Sequence, residues 1–231
     1  MNQLMNACIT LLLPFGITSC GPVDGQVWEI NNLEQIGGHA VAVIGNPAVV
    51  ETPQGKAIRF DGDGDQIVVD HNPLGGTTSF TVEVVFQPDA CYPENRDPRF
   101  IHIQDPGDPQ AKRLMIELRL NDQNQCYLDA FLKTDTADLA LIDENLTHPT
   151  ETWLHAAVTY ENGVLTTYMN GVKELSGAVG FEESYINPTG KVAIGGRMDQ
   201  RNWYRGLVKT LKVTPRVLTP VEFIDISHVS K

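Results

Sequence analysis

Six side chains able to hydrogen-bond or to move protons share one parity of three alternating runs. Arg113, Glu117 and Arg119 alternate with Leu114, Ile116, Leu118 and Leu120. Tyr127 and Asp129 alternate with Cys126, Leu128, Ala130 and Leu132, and His155 alternates with Leu154, Ala156 and Val158. Successive side chains of an extended chain point to opposite faces, so strands that bury these aliphatics send the polar set the other way. His102, in the run 100–104, and Arg197, just after Gly195-Gly196, join the set. Arg, His, Tyr and carboxylate side by side can hydrogen-bond sugar hydroxyls, and Arg can grip a carboxylate or sulfate with two bonds. The bland alternative is a solvated sheet face whose cross-strand ion pairs contribute a few tenths to about 1 kcal/mol each.

A second group lies in loops. Trp203 and Tyr204 follow the polar stretch Asp199-Gln200-Arg201-Asn202, where exposed rings would stack on a ligand. The proline-broken segment 91–99, with Arg96 and Arg99, could rim a site. Trp153 reads as sheet packing and His39, after Gly37-Gly38, as a loop residue. In Asp61-Gly62-Asp63-Gly64-Asp65 the carboxylates suit a hard cation, with Asp61 and Asp65 as candidate calcium ligands. The competing reading is a glycine-rich turn whose Asp side chains cap their own backbone. No motif requires a cofactor. There is no Gly-x-Ser-x-Gly, no phosphate loop and no Cys/His metal spacing.

The elements that must position these residues are strands. Residues 80–86, 113–120, 126–132 and 153–160 alternate with period two, and shorter runs occur at 57–60, 66–70, 100–104, 165–170, 192–195 and 207–213. Asn162-Gly163 and Asn170-Gly171 are hairpin signals, because both central residues of the tight turn need positive φ. About ten strands of this kind predict an all-β, two-sheet antiparallel sandwich. Thr219-Pro220 near the end reads as a short capped turn. The chain has 231 residues, 17 Lys+Arg and 29 Asp+Glu, a formal net charge of −12. That balance gives no overall field for nucleic acid, so none is expected as a partner.

The first segment gives an address. Residues 7–17 are a short apolar core broken by Pro14 and Gly16, and Ile17-Thr18-Ser19-Cys20 follows. The pattern resembles a bacterial lipobox, although the six residues before the core carry no Lys or Arg. The resemblance implies a signal peptide over 1–20, lipidation of Cys20 and a membrane anchor through its acyl chains, hence an extracytoplasmic protein. Residues 21–38 read as a tether plus a first edge strand, and 39–231 as the folded domain. Cys91 and Cys126 then form either a disulfide or two separate buried thiols.

Several blocks together resemble the laminin-G-like, concanavalin A-like jelly-roll family. They are 55–62 (GKAIRFDG) with 65–69, then 79–84, 153–163 (WLHAAVTYENG), 167–171, 194–196, 204–209 (YRGLVK) and 218–223. The resemblance covers about residues 50–225. It implies two sheets of curved strands, a glycan or protein ligand and in some members calcium, without fixing an activity. Retaining glycosidases of this fold space their carboxylates Glu-x-Asp-x-Glu or Glu-x-Asp-x-x-Glu on one strand, and no such run occurs here. The expectation is a lectin-like domain that binds a glycan without catalysis. The alternatives are a glycan-active hydrolase or lyase using the His/Arg/Tyr/carboxylate face, and a protein–protein adhesion or structural module.

Overall fold

The computed structural model describes residues 25–108, 110, 112–179 and 190–226. Cys20 and the signal-like segment lie outside the described residues. The strands are β1 (Gln26–Glu29), β2 (Gln35–Ile36), β3 (His39–Ile44), β4 (Ala48–Thr52), β5 (Gly55–Asp61) and β6 (Gln66–Val69). Then come β7 (Phe80–Pro88), β8 (Arg99–Gln104), β9 (Arg113–Leu120), β10 (Gln125–Lys133), β11 (Asp138–Ile142) and β12 (His148–Pro149). The last are β13 (Leu154–Glu161), β14 (Val164–Met169), β15 (Val172–Ala178), β16 (Lys191–Ile194) and β17 (Arg205–Thr214).

They form the expected two antiparallel sheets. The first has the order β15-β14-β13-β7-β17-β5-β4, with β1 also on β17. The second runs β11-β10-β9-β8-β16-β6-β3-β2, with β12 also on β10. Neighbours in space are often distant in sequence, as a jelly roll requires. The two Asn-Gly turns are built as predicted. Asn162 and Gly163 have φ of 51° and 76°, and Asn170 and Gly171 have 51° and 78°.

The core lies between the sheets and is made by the aliphatic parity of each strand. Val82, Val84, Ala156 and Val158 meet Leu114, Ile116, Leu118 and Leu128 there, all buried. Burying each such aliphatic side chain contributes about 1.5–3 kcal/mol. Phe86, Phe100 and Tyr204 form a tilted aromatic cluster in the same layer. Residues 25–38 are packed in: β1 pairs with β17, and Trp28, Ile30 and Ile36 are buried in the core. At the other end Glu222 accepts hydrogen bonds from the Thr219 N–H and hydroxyl, capping the turn Pro220–Glu222.

Candidate functional site

The face of the second sheet that points away from the core is zoned by register. One row crosses four adjacent strands as Lys133, Arg113, Gln104 and Lys191, each opposite the next. The next row is Ala140, Phe131, Met115, His102, Ala193 and Val68. The third is Ile142, Asp129, Glu117 and Arg99, and beyond it Tyr127 faces Arg119. The face is therefore a mostly apolar strip with a cationic rim on one side and an ion-paired rim on the other. A bulge between Arg99 and Ile101 sets this order, turning both Phe100 and Ile101 into the core while His102 and Gln104 stay outside.

The ion-paired rim is a network. Arg99 Nε lies 2.9 Å from Glu117 Oε1, and Arg119 bridges Glu117, Asp129 and, at 3.1 Å, Asp97. Glu117 and Asp129 are almost inaccessible, at 1% and 4% exposure. Burial pushes the Glu117 carboxyl up to about 7; Arg99 and Arg119 oppose that and the facing Asp129 charge adds to it. The Glu117 and Asp129 carboxylates face each other, as paired acid–base chemistry would need, but here both Glu117 oxygens are held by guanidinium groups. The arrangement positions charge rather than delivering a proton. The folded state holds the Glu117 proton more tightly than the unfolded chain. The contribution of Glu117 to stability should therefore be fully present below about pH 4.5, the ordinary value, and be lost as pH rises toward 7. Glu117→Gln should flatten that slope in urea unfolding between pH 5 and 8, and an unchanged slope would refute the assignment.

On the strip, His102 is 1% exposed and its Nδ1 accepts the Met198 N–H at 2.9 Å. The ring proton therefore sits on Nε2, which is buried with the Gln104 side chain as its neighbour. Burial, then the charges of Arg197 and Arg113, push His102 down to about 3. Arg113 lies over the Phe131 ring at 5.0 Å.

Thus Arg113, Glu117, Arg119, Tyr127, Asp129 and His102 share one face as their parity suggests, with Arg197 beside His102. His155 does not belong with them. Its strand β13 pairs with β7 and β14 in the first sheet, and it is buried beside Glu83 and Phe223. Parity tells which side a residue takes, not which sheet. Tyr204, expected to be an exposed stacking ring, is wholly buried; its hydroxyl donates to the Leu207 carbonyl and its ring packs on Phe60 and Phe100. Trp203 is half-buried over Gly196, where a Cβ would come within 2.7 Å of the ring. It also borders a cleft of about 310 Å³ with Pro93, Asn95, Arg96, Asp97 and Asn202. The Arg119–Asp97 pair joins this cleft to the sheet face. The sequence did not single out the strip residues Phe131 and Met115 or the rim residues Gln104, Lys133 and Lys191. Their parity was legible, but their register was not.

Two pairs of alternatives left open by the sequence resolve to the plainer member of each. Cys91 and Cys126 are free, buried thiols rather than a disulfide. Burial raises both, Cys126 to about 12, so neither is a ready thiolate. The Asp61–Asp65 stretch does not fit calcium. Asp65 Oδ1 and Oδ2 accept the Asn46 and Asp61 N–H groups, and Asp61 Oδ1 accepts the Asp63 N–H, so the carboxylates cap turns. Among the described residues no group of three or more His, Cys, Asp or Glu is placed to hold a metal ion.

Solved structures share the architecture. Domain 4 of AbnA, an extracellular arabinanase from Geobacillus stearothermophilus solved with arabinotriose, aligns over 90% of this chain and 100% of its own, with 17% identity and a TM-score of 0.65. The receptor binding domain of botulinum neurotoxin C/D mosaic serotype aligns over 86% of this chain and 49% of its own, with 14% identity and a TM-score of 0.63. The binding domain of Paraclostridial Mosquitocidal Protein 1 aligns over 86% and 50%, with 15% identity and a TM-score of 0.58. At such identities these likenesses speak for the fold alone. No curated protein sequence matches the chain. A laminin-G-type family model, described as the concanavalin A-like lectin/glucanases superfamily, matches residues 61–222. That match spans well over half of the sequence and agrees with the two-sheet jelly roll, so the chain belongs to the concanavalin A-like lectin/glucanase superfamily.

Proposed function

We propose that the domain binds a glycan, without catalysis of its own, on the outward face of the second sheet. The observation that carries this reading is the in-register strip with Phe131 and Met115 at its centre and Arg113, Gln104 and Lys191 along its rim. Sugar rings have apolar faces and hydroxyl edges, and such a strip offers an aromatic floor with donors beside it. The arabinotriose complex of the AbnA domain supports a saccharide as the ligand class. The tied carboxylates favour a binder over a hydrolase or lyase. The same proposal gives the protein an extracytoplasmic address, anchored through a lipidated Cys20, on the strength of Ile17-Thr18-Ser19-Cys20. Mass spectrometry of the mature N-terminus tests it, and an unmodified Cys20 would reject the anchor.

A glycan array probed with the purified protein and with Arg113→Ala tests the site. Loss of a charge-assisted hydrogen-bonding group should weaken binding roughly 10- to 100-fold. Arg113 is only partly buried, so unfolding should move by no more than about 0.5 kcal/mol. Binding that survives the substitution unaltered would remove this face from the proposal. Capture of protein ligands with no saccharide bound would favour an adhesion module instead.

A further inference from the structure

We propose that the ligand is held as a chain, with one unit on the strip and another in the cleft beside Trp203, a second subsite for the same molecule. This rests on the glycan-binding reading above and names the ligand's class: the interior of a linear oligosaccharide rather than a single terminal sugar.

The cleft is the first observation. It encloses about 310 Å³ between three loops, which contribute Gly62, residues 93–97, and Asn202 with Trp203. Ligand pockets run from about 300 to 1,000 Å³, and the lower end of that range suits one small ring. The walls carry an indole, the Arg96 guanidinium and the amides of Asn95 and Asn202. An aromatic surface with hydrogen-bonding groups around it matches the apolar face and hydroxyl edge of a sugar.

The second is that the platform is held in place before any ligand arrives. Gly196 backs the indole, where a Cβ would come within 2.7 Å of the ring. The Trp203 carbonyl accepts Asn95 Nδ2–H at 2.8 Å, and the Asn202 carbonyl accepts the Arg99 N–H at 2.9 Å. Asn202 has φ of 55°, a left-handed conformation that Asn adopts more readily than most residues. A ring already ordered loses little freedom when a ligand stacks on it.

The third is continuity with the strip. Residues 96–98 prolong the line of β8 beside β9, because the Leu118 and Leu120 N–H groups donate to the Pro98 and Arg96 carbonyls, both at 2.9 Å. Asp97, in this extension, reaches Arg119 at 3.1 Å. Tyr127 faces Arg119 across β10 and β9, and its phenol feels the charges of Arg119, Asp97 and Arg96. The outer face thus runs from Phe131 and Met115, past Tyr127 and Arg119, to the loop that walls the cleft. Met115 to Arg119 is four residues of strand, about 13 Å. One sugar ring cannot reach both sites, and a chain of several can. The rim between them is ion-paired, so it offers partners to hydroxyls without demanding a charged ligand.

The test is calorimetric titration of the purified protein with linear arabino-, xylo- and cello-oligosaccharides of two to eight units. In a series that binds, affinity should rise about tenfold or more from the shortest binding member to the plateau, as a second linked subsite requires. Trp203→Ala should remove that rise and leave the shortest member within about twofold of wild type, which also shows the variant to be folded; Trp203→Phe should restore part of the rise. Arg96→Ala, at an exposed side chain clear of the packing on Gly196, should lower affinity for the long members alone. Arg113→Ala, by contrast, should weaken every length. Affinity independent of length, or a rise that survives both Trp203→Ala and Arg96→Ala, would overturn the second subsite and leave the strip standing as the site. So would a loss in Arg96→Ala that is equal at every length. Binding of none of the three series would overturn both readings.

Discussion

Replacing Glu83 by alanine should cost about 3–5 kcal/mol, the range for removing one partner of a buried ion pair. Glu83 is 0% exposed on the outer face of the first sheet. Its Oε1 takes the Ile224 N–H at 2.6 Å and faces His155 Nε2 at 3.2 Å, while Lys212 Nζ lies 2.8 Å from Oε2. Phe223 packs on His155 and Tyr168, so this one carboxylate pins the C-terminal segment across the sheet. Without it Lys212 and the Ile224 amide lose their acceptor. Burial pushes Glu83 up, but the hydrogen bonds from His155, Lys212 and the amide outweigh it and hold the carboxyl below its ordinary value. A depressed carboxyl stabilises the fold above its unfolded value and loses that contribution as pH falls through the folded one. Wild type should therefore weaken below about pH 4.5, and Glu83→Ala should show a shallower acid slope from a lower plateau. Urea unfolding at pH 7 and pH 3 measures both. A loss under 1 kcal/mol at pH 7 would show that the segment is held by its apolar contacts alone.

The same carboxylate marks the boundary of what the sequence discloses. Alternation told which side of each strand is apolar, because the period-two pattern records burial directly: Leu114 to Leu120 and Val82 to Phe86 went inward as read. The Asn-Gly pairs were legible because their turn admits few other residues. Sheet membership was not. Glu83 and His155 look like members of any polar face, and only the β7–β13 pairing puts them in the first sheet under the chain's end. Register was equally hidden. The cationic row exists because Lys133, Arg113, Gln104 and Lys191, from four separate strands, fall on one rung. Tyr204 reads as exposed because its neighbours are polar, yet its ring fills space that Phe60 and Phe100 leave between the sheets. The short strand at 26–29 offers only Trp28 as an inward signal, with Ile30 just beyond it, too few to register as a period.

Phe100 links these levels, and its replacement by alanine should be costly for a different reason. The ring is wholly buried, with its centroid 4.5 Å from Phe86 of the first sheet and 5.3 Å from Tyr204. Truncating a buried Phe removes transfer energy and leaves a cavity, together about 3–5 kcal/mol. Strict alternation would put Phe100 on the same face as His102; the bulge at 99–101 lets it enter the core instead. The core packing of Phe100 and Ile101 thus holds the kink that presents Arg99 and His102 on the outer face. Phe100→Ala should lose stability and, in the fraction that remains folded, weaken saccharide binding as the kink relaxes. Phe100→Leu should retain more of both, since it fills part of the cavity. Arg113→Ala, by contrast, should lose binding with little change in unfolding. Urea titrations and affinity measurements on the three variants separate the two kinds of effect. If Phe100→Ala unfolds within 1 kcal/mol of wild type, the aromatic cluster is not what locks the sheets, and the bulge must be held by its backbone bonds alone.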